Sequence, residues 1–509
     1  MDLIKTLAEA QAFAAQQSEA EGLIIAKRVL SHTTRHAPGE VEDTCPMKVM
    51  PSNHIKQKKK TPTYFNFTDF GNAERLIYRY GQDLHWDARR GKWLCWNNKY
   101  WETDESGTII RLAKDVARQL YAETSKIEDG TTRKEIAKYA RSCESRSKIL
   151  AMIELAKSLE TITILPDHLD KDPWKLNVQN GTIDLKTGKI GPHKREDLIT
   201  KILPVTYNPS ASCPIWLTFL ERIMDGNVEL IQFLQKGVGY SLTGSTSEQC
   251  LLILHGNGAN GKSVFLSTIA SLVGAYAEQT PVSTLMVKKG DSVPNDLARL
   301  KGARFVAAVE AEEGQRLAES LVKQLTGGDR ITARFLHQEF FEFIPEFKIW
   351  LATNHRPQIR GTDHAIWRRI RLVPFIVTIP PEERDPGLTT RLIEEMPGIL
   401  TWAIEGCKLW LSEGLKTPQA VSQATNEYRA ESDAIGLFLG ENCSIHENAK
   451  VSAKNLFAAY VTWCEENEER PLSKRQFSQR LAERGLSSAK MTGGWYFFKG
   501  IGLLHNPYR

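Results

Sequence analysis

What the chain lacks narrows it first. Its eight cysteines stand singly at 45, 95, 143, 213, 250, 407, 443 and 464, with no Cys-x-x-Cys pair. That spacing is the pattern of a reduced cytosolic protein and argues against both a disulfide framework and a zinc ribbon. No run approaches the ~18 apolar residues of a membrane-crossing helix, and the first residues lack the apolar core of a signal peptide. The expectation is a cytoplasmic protein with no membrane partner. Strong charge is also missing: 66 Lys+Arg against 61 Asp+Glu leave a net +5. Any nucleic-acid surface must therefore be local. What remains is ordinary for a globular chain, with 41% apolar and 25% charged residues in 509 positions. That length suits about three domains at ~150 residues each.

The most specific stretch runs from residue 250 to 263. Cys250-Leu-Leu-Ile-Leu254 is a continuous apolar run suited to a buried parallel strand. Gly256-x-x-x-x-Gly261-Lys262-Ser263 follows, the pattern of a phosphate-binding P-loop. Phe265, Ile269, Leu272 and Val273 then recur at helical spacing. Strand, glycine loop and helix together predict a site for a nucleoside triphosphate. Gly256, Asn257, Gly258, Ala259, Asn260 and Gly261, with Val264 in the first helical turn, are expected to aim backbone N–H groups at phosphates. Lys262 would reach the β- and γ-phosphates, and the Ser263 hydroxyl would sit on Mg²⁺. ATP and Mg²⁺ are the expected ligands.

Around this motif the chain divides. Residues 1–62 read as a helix and a basic linker ending in Lys56-Gln-Lys58-Lys59-Lys60. Residues 63–207 read as an α+β domain. Trp86, Trp93, Trp96, Tyr100 and Trp101 lie among turn signals, predicting a small β-meander whose aromatics pack inward. Its alternative is a stacking surface for single-stranded bases. Asn180-Gly181 predicts a tight hairpin turn. Residues 208–385 read as the nucleotide-binding core with leading helices over 212–245, and 386–431 as its helical end. Residues 432–509 read as helix, helix and two short strands, 495–499 and 500–503, a winged-helix pattern. That domain would present Lys474 and Arg475 to duplex DNA, with protein docking or a structural role as the alternative.

Three later elements in the core carry chemistry. Arg304-Phe-Val-Ala-Ala-Val309 is an apolar strand followed by Glu310 and Glu312, either of which could hold Mg²⁺ or activate water. Phe347-Lys-Ile-Trp-Leu-Ala-Thr353 ends in Asn354, which fits a polar sensor of the γ-phosphate or lytic water. Arg368 and Arg369 precede the strand Ile370-Arg-Leu-Val-Pro-Phe375 and suit an arginine finger supplied to a neighbouring subunit. Carboxyl ends of parallel strands are where ligands sit, so the arginines need another route to the nucleotide. Between the strands, a helix over 317–325 stops at Gly327-Gly328. An alternating segment then predicts a hairpin with a basic tip at 334–338. Lys323, Arg330, Arg334 and His337 are its candidate DNA contacts.

The compact order of 256–263, Glu310/Glu312, Lys323-x-x-Thr-Gly-Gly-Asp329 and Ala352-Thr-Asn354 resembles superfamily 3 helicases, ring-forming AAA+ motors of viruses, phages and plasmids. Gly-Thr-Asp363 and Ala365-Ile-Trp367-Arg368-Arg369-Ile make the chain similar, more narrowly, to the satellite-phage and plasmid primase-helicases, relatives of the poxvirus primase-helicase. The likeness covers about residues 63–430. It implies an α/β fold with a P-loop AAA+ core, an α+β domain before it and a winged helix after it. It further implies a homo-hexamer hydrolysing ATP between subunits, with one DNA strand in the channel, Arg368 as finger, and the hairpin as the channel element. A bacterial cytoplasm, a mobile element, a duplex origin, and a separate primase or host replication proteins complete the expectation. Two departures stand out: residues 1–62 are too short for the primase domain common in the group, and Ala311 separates the two glutamates. The rival reading is an origin-binding initiator or loader ATPase without processive unwinding. A small-molecule kinase is poorer, for want of an acceptor pocket.

Overall fold

The computed structural model describes residues 65–288, 295–309, 314–361, 364–467, 469, 471–490 and 496–504. The linker 1–62 and the glutamates 310 and 312 lie outside the described residues. Helices Asp69–Tyr80, Thr108–Glu123, Gly130–Ser142 and Arg146–Ala156 pack on a sheet of β1 (Leu84–Asp87), β2 (Lys92–Trp96), β3 (Trp101–Thr103) and β4 (Thr163–Ile164). The first three strands form the antiparallel meander, and β4 joins β1 in parallel. Trp93 and Trp101 are buried and Trp86 and Trp96 half-buried, so these rings serve packing.

β5 (Lys175–Val178) and β6 (Gly181–Asp184) pair around Gln179-Asn180, and β7 (Lys189–Gly191) follows. Leu176, Val178, Ile183, Leu203 and Val205 share one core with Trp216, Phe265 and Trp350. This blurs the boundary at 207: by packing, the hairpin joins the core of the following domain. Alternation shows that these residues are buried; it does not show against what.

After helices Pro214–Ile223 and Val228–Leu242 comes β8 (Leu251–His255), then β9 (Ala277–Thr280), β10 (Phe305–Val309), the hairpin β11 (Ile331–Ala333) and β12 (Phe341–Phe343), β13 (Lys348–Thr353) and β14 (Ile370–Pro374). Five of these form a parallel sheet in the order β14-β8-β13-β10-β9. The edge strand β9, Ala-Glu-Gln-Thr, has no apolar run to announce it. Both sheet faces are covered, as an all-parallel sheet requires. On one face helix Met396–Glu413 lies against Val228–Leu242. A Cβ at Gly239 would overlap Cys407 N, and one at Gly406 would overlap Gln235 O, so only glycine permits this approach.

The C-terminal part has its own core around Phe438, Tyr460, Phe477 and Ile501. Helices Ala434–Asn442, Ala453–Glu466 and Lys474–Glu483 pack on β15 (Cys443–Ser452), β16 (Ser488–Lys490) and β17 (Tyr496–Leu503), antiparallel in the order β15-β17-β16. The two strands expected on either side of Gly500 are one, β17, and a partner lies upstream. β15 was hidden because Cys-Ser-Ile-His-Glu-Asn-Ala-Lys-Val-Ser is mostly polar and largely exposed. Among the described residues no helix is long and apolar enough to cross a membrane.

Candidate functional site

β8 is buried through Leu254, and its carboxyl end opens into the loop 256–261. Gly256 is required because a Cβ there would overlap Phe375 O, the residue that continues β14. Gly261 has φ +83°, a left-handed geometry that turns the chain into helix Lys262–Val273. The first N–H groups of a helix have no intrahelical partner, so this turn presents donors and positive potential to the loop.

Lys262 is 5% exposed. Its ammonium donates to Gly256 O at 2.6 Å, Asn260 Oδ1 at 2.9 Å and Asn354 Oδ1 at 3.1 Å. All three acceptors are neutral, and burial pushes the Lys262 pKa down to about 8. Asn260 is itself buried, its amide directed at Phe375 O across 3.4 Å. Asn354 reaches Lys262 because β13 lies directly between β8 and β10. Val309 pairs with Ala352, so β10 ends at the same edge, immediately before Glu310. His255 is held below its ordinary value by burial first, then by Arg356 and Lys262. Ser263 and Asn257 are exposed; Gly258, Ala259 and Val264 complete the loop and first turn. Among the described residues no group of three or more His, Cys, Asp or Glu is placed to hold a metal.

Beside the loop is a cavity of about 390 Å³, with Ile215, Phe219, Ile379 and Leu388 among its walls. Ile379 N donates to Ala259 O at 2.7 Å, and Phe219 and Ile223 pack under Gly261. Glu395 fixes the helix that carries Phe219, accepting from Ile215 N and Trp216 N at 3.0 and 2.9 Å. Arg222 pairs with Glu383, and Arg391 with Asp385, at its rim. Nothing in the sequence marks this cavity, since its walls come from two ordinary segments over 150 residues apart. Larger cavities, of about 590, 570 and 440 Å³, are lined by other segments. The smaller one is the relevant neighbour because its wall residues Ile379 and Phe219 touch Ala259 and Gly261.

The remaining candidates stand apart from Lys262. Leu251 N donates to Arg369 O, which puts both arginines at the amino end of β8, ~13 Å of strand from the glycine loop. Arg368 is exposed, and its guanidinium donates to Gln249 Oε1 at 2.7 Å. Arg369 is buried, donating to Thr326 Oγ1 at 3.1 Å and Ala365 O at 2.6 Å, and so ties helix Glu319–Gly327 to β14. Geometry therefore gives Arg369 a packing role and leaves Arg368 available.

In the hairpin, Arg330 pairs loosely with Glu342 at 3.7 Å, Arg334 lies over the Phe340 ring at 4.6 Å, and His337 is exposed with φ +62°. Lys323 is half-buried on the preceding helix. The tip is less basic than expected, because Phe335, Leu336 and Phe340 are exposed beside these cations. Lys474 and Arg475 are exposed in the first turn of their helix, which Ser473 and Gln476 cap reciprocally.

Three family profiles match the chain. They are D5 N terminal like over residues 73–225, a family of unknown function (DUF5906) over 254–369, and Poxvirus D5 protein-like over 430–494. The first and third of these profiles make the chain similar to D5-type primase-helicases over its N-terminal and C-terminal parts. Putative helicase L207/L206 of Acanthamoeba polyphaga mimivirus is 25% identical over 420 residues, 74% of this chain and 44% of that protein. Putative primase C962R of African swine fever virus is 28% identical over 215 residues, 40% of this chain and 22% of the viral one. The chain thus spans less than half the length of these curated relatives. Among solved structures, the apo NrS-1 C-terminal region (305–718) superposes with TM-score 0.47 at 10% identity, over 85% of this chain and 99% of that one.

Proposed function

We propose that this chain is an ATP-hydrolysing DNA helicase motor of a viral, phage or plasmid replicon. Its fold would be the superfamily 3 AAA+ core with a winged helix after it. The observation that carries the reading is Lys262: a buried ammonium, surrounded by neutral oxygens, at the mouth of a glycine loop and a helix N-terminus. Such a cation is poised for an anion, and a triphosphate supplies one. The loop therefore fits Mg-ATP, since glycine alone fills the turn at 256 and the N–H groups of the first helical turn are unclaimed within the helix.

In this reading Lys262 exchanges its three neutral acceptors for phosphate oxygens. Asn354, released from Lys262, offers its amide to the γ-phosphate or the lytic water. Bound Mg²⁺ supplies charge neutralisation at the phosphates, and Ser263 with Glu310 or Glu312 would hold it. The other glutamate would orient water. Phe219, Ile215, Ile379 and Leu388 shelter the nucleoside. Arg368 cannot serve its own loop from the opposite end of β8, so it serves a neighbour's, which requires a ring, expected to be a hexamer. The β11–β12 hairpin would track one DNA strand, its exposed aromatics stacking on bases and Arg334 and His337 meeting phosphates. Lys474 and Arg475 would meet duplex DNA.

Mixing Arg368→Ala subunits with Lys262→Ala subunits tests the shared site. Each variant alone should be inactive in ATP hydrolysis, while mixtures regain activity at interfaces that combine an intact loop with an intact finger. No recovery at any ratio contradicts the arrangement.

A further inference from the structure

The turn between β1 and β2, Ala88-Arg-Arg-Gly91, lies far in sequence from every element used above, yet one lysine links it to the end of the β11–β12 ladder where the 334–340 loop begins, at the Ala333–Phe341 pair. The link is Lys301, in the turn before β10. Its ammonium lies 5.3 Å over the Phe341 ring of β12 and 4.0 Å from Asp167, which also pairs with Arg89 at 3.4 Å. The turn is held in shape from below. Asp87 is fully buried and its Oδ1 accepts from Arg89 N and Arg90 N, both at 3.1 Å. Its second oxygen lies 3.6 Å from Arg90 Nε. Both arginine side chains remain more than half exposed, at 62% and 54%. Burial first, and then Arg90 and Arg89, press the Lys301 pKa downward against the opposite pull of Asp167 and Asp87.

We infer that Arg89, Arg90 and Lys301 form a phosphate-binding site that continues the hairpin's DNA path onto the N-terminal domain. The site rests on the helicase reading, because DNA is its ligand only if the hairpin handles DNA. Phosphate is the chemistry that fits: two guanidiniums on a pre-shaped turn, beside a lysine, with Arg89 and Lys301 held only by the exposed Asp167 in screened ion pairs. A strand backbone passing the hairpin would displace Asp167 from Arg89 and Lys301, and Asp87 would keep the turn in place meanwhile.

The test uses the full chain with Arg89→Gln/Arg90→Gln, both exposed, and with Arg334→Ala/His337→Ala for comparison. Binding of a fluorescent oligo-dT strand is measured against salt concentration, alongside DNA-free ATP hydrolysis. Losing two single-strand phosphate contacts should reduce the log–log salt slope by ~1.4 and weaken binding ~10-fold at ~0.1 M salt. DNA-free hydrolysis should be unchanged. If the glutamine pair binds like wild type while the hairpin variant loses affinity, this site is refuted and the helicase reading stands. An acidic protein as the true partner would give that same refuting result. A wild-type protein that hydrolyses ATP and binds no DNA overturns the site and the reading together.

Discussion

Measuring triphosphate affinity as a function of pH reads the state of Lys262 directly. With a pKa of about 8 in the free protein, the ammonium is ~90% protonated near pH ~7, ~50% near ~8 and ~10% near ~9. If only the protonated form grips the phosphates, affinity falls ~10-fold between about pH 7 and about pH 9, which is ~1.4 kcal/mol. A lysine with the ordinary value of ~10.4 would show almost no change over that range. The sign also fixes proton traffic. The free site holds the value below that of the unfolded chain, and a bound polyanion raises it, so binding takes up ~0.5 proton near pH ~8. In the free protein the unfolded chain binds more protons between about 8 and ~10.4, so stability rises with pH across that window. Nucleotide should flatten this rise. His255, also depressed, contributes only at lower pH and does not confuse the alkaline limb. Calorimetry with a non-hydrolysable ATP analogue, in buffers of different ionisation enthalpy, measures the uptake. Lys262→Met should abolish it. Uptake near zero for wild type at about pH 8, or affinity flat to about pH 9, would refute the role given to Lys262.

Arg369→Ala should destabilise the chain by ~2–4 kcal/mol, because it strips buried partners from Thr326 and Ala365. Arg368→Ala should leave the unfolding midpoint in urea unchanged, and equal midpoints for the two variants would contradict the division of roles. Lys474→Ala/Arg475→Ala should lower the salt slope for duplex DNA by ~1.8, the loss of two phosphate contacts, with hydrolysis intact. An unaltered slope would assign the C-terminal domain to another partner.

How much was legible follows from the kind of signal each element carries. β8, the glycine loop and its helix are local in sequence: apolar run, turn residues and helical spacing are contiguous. Asn354 was legible for the same reason, as a polar residue ending an apolar strand. That it touches Lys262 depends on strand order, which no local pattern states. β9 and β15 escaped because edge strands need no apolar run. The boundary at 207 is blurred because β5 and β6 give up their apolar face to a core built mostly from later residues. Arg368 and Arg369 are adjacent and alike in sequence; only packing around Thr326 separates a buried tie from an exposed group. The cavity beside Phe219 and the Arg89–Arg90 turn are assemblies of distant segments, visible only once folded.

Strand displacement on a forked DNA by the full chain tests the central claim most directly, with ATP present and Lys262→Ala as the control. Wild type should release the labelled strand in an ATP-dependent manner, and Lys262→Ala should release none. ATP hydrolysis by wild type without strand release would contradict it and point to a loader, and release by Lys262→Ala at the wild-type rate would remove the glycine loop from the mechanism.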